Sequence, residues 1–208
     1  MVLSNIIVHF EAGEPSRQDI EILNSGAETL YVQMEPKLVH NPGTEEERRE
    51  PISNPREAGL LVTPSKLALA PGASKRVRFV NLGRNTDEER IYRIAARPIS
   101  NPVTAEQNGV KILIGYEILA IAYPAAPSPD LAIERNGRTL KVQNQGNTNV
   151  LLREIFQCES VDQVEEECES LAGRRMYPGN SWELDLPQDR PVRLYQSIGM
   201  RNSVHTIQ

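Results

Sequence analysis

The chain has 208 residues, enough for one large domain or two small ones. Its 39% hydrophobic and 25% charged residues are the make-up of an ordinary globular protein. A net charge of -5 argues against nucleic acid as the main partner, and no apolar run approaches the ~20 residues that cross a bilayer, so a chain that is not membrane-embedded is expected.

Fifteen prolines and thirteen glycines point to many turns and few long helices. Nothing at the start reads as a signal peptide. Met1-Val2-Leu3 leads directly into a strand pattern, as in a cytoplasmic protein or a mature secreted chain restarted on methionine.

Period-two patterns come first. Residues 6–10 (I-I-V-H-F), 19–23 (D-I-E-I-L) and 30–34 (L-Y-V-Q-M) read as strands, separated by Ala12-Gly13-Glu14-Pro15 and Asn24-Ser25-Gly26. A polar insert, Asn41-Pro42-Gly43-Thr44, and a charge run from Glu45 to Glu50 read as a solvated loop. Strands resume at 60–63, 67–69, 75–80 and 90–96, with Pro71-Gly72 as a tight turn. The longest extended segment, 110–123 (V-K-I-L-I-G-Y-E-I-L-A-I-A-Y), is apolar on both faces, the mark of a strand covered on each side. Pro124-Ala125-Ala126-Pro127-Ser128-Pro129 cannot continue a central strand and reads as a hinge between domains.

The pattern then restarts. Leu131-Ala132-Ile133 and Thr139-Leu140-Lys141-Val142 flank Asn136-Gly137, a strong hairpin signal. Val150-Leu151-Leu152, Glu154-Ile155-Phe156, Trp182-Glu183-Leu184 and Val192-Arg193-Leu194-Tyr195 follow, and only 161–171 offers a turn or two of helix. Short strands every eight to twelve residues in both halves predict an all-β chain of two sandwiches.

Cys158 and Cys168 have nine residues between them and lie beside Glu165, Glu166, Glu167 and Glu169, while His9, His40 and His205 are all distant. That spacing fits a disulfide across a hairpin-like loop, worth about 3 kcal/mol, in an oxidising compartment; the alternative is a pair of reduced thiols in a cytosolic protein. The glutamates lack the Asp/Asn spacing and glycine of a calcium loop, so neither metal nor cofactor is expected. There is no G-x-S-x-G, H-E-x-x-H or phosphate-binding glycine loop, and an enzyme is not expected.

Several strings carry a resemblance. V-T-P-S-K-L-A-L-A-P-G-A-S-K-R-V-R at 62–78, R-I-Y-R-I at 90–94 and N-Q-G-N at 144–147, in this order around a Pro-rich hinge, resemble the periplasmic pilus-assembly chaperones of the chaperone–usher pathway. H-N-P-G-T-E-E-E at 40–47 and the C-x9-C pair are similar to the alternate branch that serves class 5, colonisation-factor fimbriae. The resemblance implies two immunoglobulin-like sandwiches in a boomerang arrangement, with residues 1–123 as the domain that binds pilins and residues 124–208 as the second domain. It also implies a periplasmic location, fimbrial (pilin) subunits and an outer-membrane usher as partners, and no enzymatic activity.

The work implied is donor-strand complementation, in which alternate apolar side chains of one protein fill the open sheet of another. Val110, Ile112, Ile114 and Tyr116 lie two apart and would share the donating face, with Leu113, Leu119 and Ile121 facing the chain's own core. Burying three aliphatic side chains is worth about 5–9 kcal/mol before ordering costs. Ile6 and Val8 on the first strand would offer a second edge. One departure is plain: where the better-known branch grips the pilin's terminal carboxylate with an Arg and a Lys, this chain has Ile7 and Leu119, leaving Arg17, Arg93 or Arg97, or backbone and hydroxyl groups, as substitutes. Without the resemblance, 110–123 reads as a buried central strand. A two-domain adhesin or fimbrial structural subunit is the alternative function, and a sugar-active sandwich enzyme lacks a convincing carboxylate pair.

Overall fold

Strands that alternate apolar and polar side chains must cover their apolar faces, and here they do so in two separate places. The computed structural model describes residues 1–14, 16–83, 86–99, 112–199 and 201–207. The chain divides into two compact units, the first comprising Met1–Asn41, Glu46–Thr86 and Arg90–Ala125, and the second Pro42–Glu45, Asp87–Glu89 and Ala126–Gln208. The last crossing falls inside the proline-rich stretch that follows Tyr123.

The first unit contains β1 (Val2–Leu3), β2 (Ile7–Phe10), β3 (Arg17–Leu23), β4 (Leu30–His40), β5 (Arg48–Pro51), a four-residue helix α1 (Pro55–Ala58), β6 (Leu60–Thr63), β7 (Lys66–Leu69), β8 (Ser74–Asn81), β9 (Arg90–Ile99) and β10 (Tyr116–Ala122). One sheet runs β1-β3-β8-β6; the other runs β2-β10-β9-β4-β5, with β7 also on β4. Ile20, Ile22, Val77 and Phe79 of the first sheet bury against Val32, Tyr92, Ile94 and Ile118 of the second.

The run 45–50 is not all loop. Arg48–Pro51 pairs antiparallel with Lys37–His40 as an edge strand. It is wholly exposed and densely charged, and Arg48 and His40 both contact Glu50 at 3.0 Å. Charge on an edge strand discourages pairing with stray chains, so a run too polar to read as a strand is well suited to this place.

The second unit contains β11 (Leu131–Asn136), β12 (Thr139–Asn144), β13 (Val150–Gln157), a 3-10 turn (Glu165–Glu167), β14 (Glu169–Ala172), β15 (Arg175–Met176), β16 (Ser181–Asp185), β17 (Val192–Ile198) and β18 (Arg201–Ile207). β11-β12-β16 face β14-β13-β17-β18 across a core of Leu140, Val142, Leu152, Ile155, Leu186 and Leu194, with β15 pairing β13. Of the turn or two of helix that 161–171 could offer, the chain forms the single 3-10 turn of those three glutamates. The cysteines are joined, tying the loop after β13 to the start of β14.

The same clamp occurs in both sandwiches. Asn24 and Asn144, both buried, each begin an Asn-x-Gly turn and each face a Pro-Gly turn. In each, the side-chain oxygen accepts from the glycine two residues on (Gly26, Gly146). The side-chain NH2 donates to the carbonyl four residues on (Glu28, Thr148) and to a carbonyl three residues before the other turn's glycine (Leu69, Met176). The main chain closes the same ring: Gly72 and Gly179 donate to the asparagine carbonyls, and the asparagine N–H groups donate to the carbonyls of Ala73 and Asn180. A buried amide costs stability unless its hydrogen-bonding capacity is met, and both asparagines meet theirs in the same way. The two units are versions of one module.

Candidate functional site

β10 lies between β2, to which it is parallel, and β9, to which it is antiparallel; β2 is the sheet's edge. Ile118 stands opposite Ile94, and Ala120 opposite Tyr92, on the side of the sandwich core. Leu119 and Ile121, expected in that core, take the other side, opposite Arg93 and Ile91. They are buried all the same, Leu119 at 7% exposure. The strand is apolar on both faces and buried on both, with Ile118, Ala120 and Ala122 on the parity that enters the sandwich.

The extended segment does not form one continuous strand. β10 starts at Tyr116, and residues 112–115, although described, lie outside it. Continuing the register would set Ile114 opposite Pro98, which has no N–H to donate. Gly115 packs close against β9: a Cβ there would sit 3.1 Å from the Ala96 carbonyl and 3.5 Å from Pro98 Cδ.

Ile112 is 81% and Ile114 69% exposed. Leu113, expected in the core, is 40% exposed, since the covered strand begins three residues later. Val110 lies outside the described residues. Tyr116 is partly buried, and its hydroxyl donates to the Met1 carbonyl at 3.2 Å. Isolated exposed aliphatics are ordinary, but these neighbours at the head of a buried strand form an apolar stub.

The first strand splits the pair expected on it. Val8 is 4% exposed and belongs to the sandwich core, so it offers no open surface. Ile6 is 53% exposed and just precedes β2, its carbonyl accepting from the Leu119 N–H at 2.9 Å. Residues 6 and 8 share a parity, but only Val8 packs into the sandwich core.

Basic groups stand near Leu119. The pairings set Ile7, Leu119, Arg93 and Lys37 in one row across four strands, on the face away from the core. Arg93 and Lys37 form no ion pair among the described residues. Of the other candidates, Arg97 pairs with Glu35 at 3.1 Å, and Arg17 belongs to the other sheet. Arg49 donates to both oxygens of Glu117 (2.9 and 3.1 Å), and its hydrogen bond to Glu47 helps hold its guanidinium above the usual value. The nearness of Lys37 and Arg93 to position 119 came from strand order, which no single segment displays. Among the described residues no group of three His, Cys, Asp or Glu side chains is placed to hold a metal ion, and no helix is long and apolar enough to cross a membrane.

No family model matches the sequence. The chain is 29% identical over 174 residues to a CFA/I fimbrial subunit of Escherichia coli, covering 79% of this chain and 71% of that protein. It is 28% identical over 183 residues to a CS1 fimbrial subunit of Escherichia coli, covering 84% and 76%. Among solved structures it matches the class 5 fimbriae chaperone CfaA with a TM-score of 0.72 and 23% identity, over 99% of this chain and 97% of that one. A chaperone–tip adhesin complex of CFA/I fimbriae biogenesis matches at 0.67 and 24%, over the same shares. The chaperone–tip adhesion complex of the archaic chaperone–usher Csu pili of Acinetobacter baumannii matches at 0.64 and 14%, over 99% and 96%. Two sandwiches in this strand order, matched over nearly their whole length, give the chain the fold of the chaperones of chaperone–usher fimbriae.

Proposed function

We propose that this chain is a periplasmic chaperone that holds fimbrial subunits by donor-strand complementation and delivers them to an outer-membrane usher. Residues 1–123 take the pilin and residues 124–208 form the second domain. The observation that carries this reading is the exposure of Ile112 and Ile114 at the head of β10. They share the parity of Ile118, Ala120 and Ala122, so an extended 110–115 would continue the chain's own core row into a partner's open groove. Val110 and Tyr116 have the same parity in the sequence, and the exposed Ile6, whose carbonyl accepts from Leu119, offers a second apolar side chain at the sheet edge. The side chains stay wet until a pilin covers them, so their burial contributes to the complex and not to the free chain.

The pilin's terminal carboxylate falls to Arg93, with Lys37 behind it in the same row. A guanidinium with no acidic partner among the described residues suits a carboxylate, which it can grip at two points. Tyr31 and Ile99, opposite one another and both exposed, leave an apolar pair on the same face as Lys37 and Arg93, six residues along the strands, for a second partner such as the usher. The role is non-catalytic.

The names of the two Escherichia coli relatives favour a second reading, a structural subunit of the fimbria. A pilin waiting for a strand would show its core to solvent, whereas Ile94, Ile118 and Phe79 here are fully covered. Co-expression with a fimbrial pilin separates the two. A chaperone keeps the pilin soluble in a one-to-one complex that polymerisation leaves behind. A chain found instead within the assembled fibre would overturn the proposal.

A further inference from the structure

The loop between the two cysteines makes contacts that a simple surface loop does not need. It leaves β13 after Gln157 and returns at Glu169, and on the way it binds side chains of β17, the neighbouring strand of the same sheet. Arg193 donates to the Val161 carbonyl at 2.7 Å and to the Gln163 carbonyl, with its side chain only 14% exposed. Tyr195 donates to Glu165, whose carboxylate also stands 3.6 Å from Arg193. Arg193 and Tyr195 are opposite Phe156 and Glu154 of β13, on the face away from the core, and the Phe156 and Tyr195 rings meet edge to face. The loop is therefore pinned beside an aromatic pair that lies outside the sandwich core.

We infer that residues 158–168 form a redox-gated strap across the outer face of the second unit. The pins are polar contacts, those of Arg193 and Tyr195 and an Arg190–Glu159 pair at 3.0 Å, each exchangeable for water, and they must hold a segment whose own structure is one 3-10 turn and side-chain hydrogen bonds of Gln163 to Glu159 and Glu167. The Cys158–Cys168 bond removes most of the loop's freedom, and with it intact the pins suffice. Cys158 is buried and Cys168 is partly exposed, so a dithiol reaches the bond from the Cys168 side. Attack on that sulfur gives a mixed disulfide and frees Cys158. The dithiol's second sulfur then displaces Cys168 and closes its own cyclic disulfide, its two protons passing to the protein thiols. The strap opens and Phe156 and Tyr195 are exposed.

Hydrogen exchange of the whole chain, oxidised and after dithiothreitol, tests this. Reduction is expected to speed exchange at least tenfold in peptides from 158–168 and to leave the first unit and β12 unchanged; reoxidation restores protection. Unchanged exchange in the strap on reduction would overturn the proposal. So would acceleration throughout the second unit, which would make the bond a clasp for the sandwich rather than for a strap. Glu165→Gln keeps the bond and loosens a pin: it should match the wild type when oxidised and exchange faster than the wild type when reduced. Equal rates in the two reduced proteins would remove Glu165 from the device.

Discussion

Ile7 and Leu119 stand opposite one another where β2 runs parallel to β10, Leu119 almost wholly buried and Ile7 partly exposed. A cation at position 119 would be buried, and the proposed grip lies one strand over, at Arg93. Leu119→Lys should destabilise the free protein by several kcal/mol in urea unfolding, the cost of an unpaired buried ammonium. Arg93→Ala should leave the unfolding midpoint nearly unchanged and weaken pilin binding roughly tenfold, less so at high salt. Unaltered affinity in Arg93→Ala would return the grip to backbone and hydroxyl groups.

Exposed and covered isoleucines on one parity should separate cleanly. Ile112→Asp and Ile114→Asp are expected to stay within about 0.5 kcal/mol of wild-type stability while losing pilin rescue. Ile118→Ala should cost about 2–5 kcal/mol in the free chain, because its cavity opens whether or not a pilin is bound. Denaturant melts beside a co-expression assay read both effects.

The twin clamps predict twin defects. Asn24→Ala leaves the Leu69 and Glu28 carbonyls and the Gly26 N–H without their side-chain partner; Asn144→Ala does the same to Met176, Thr148 and Gly146. Each should cost about 1–3 kcal/mol. Each loss should also be confined to its own sandwich, so local exchange should rise around Pro71-Gly72 in one variant and Pro178-Gly179 in the other. A loss spread evenly over both units in either variant would contradict the modular reading.

Glu89 contributes a pH dependence of its own. One oxygen accepts from the Thr148 hydroxyl and from both N–H groups of Asn149, at 2.6 to 2.9 Å, while the other is buried without a partner among the described residues. Burial pushes its carboxyl above the ordinary glutamate range, although those hydrogen bonds and Arg175 pull the other way. A carboxyl raised in the folded state holds its proton more tightly there. Its contribution is thus present at low pH and lost as pH rises through the raised value. Thermal unfolding of Glu89→Gln at stepped pH should show that slope flattened; an unchanged slope would assign it elsewhere.

Most strands were legible because period-two alternation depends on neighbours in the chain. The turns Asn24-Ser25-Gly26, Pro71-Gly72 and Asn136-Gly137 marked where they stop, and Cys158 and Cys168 were near enough to pair. What sequence left open was decided across strands. Arg48–Pro51 is a strand because β4 offers a partner, and β18, all polar but for Val204 and Ile207, exists because β17 does. Val8 is core and Ile6 is exposed, although the two share a parity along the chain. Ile118, not Leu119, enters the sandwich because its register with Ile94 puts it there, and Pro98 with Gly115 ends the ladder at Tyr116. Local pattern determined that this is a chain of two β-sandwiches; register, which long-range pairing alone sets, decided which of its isoleucines are core and which remain open.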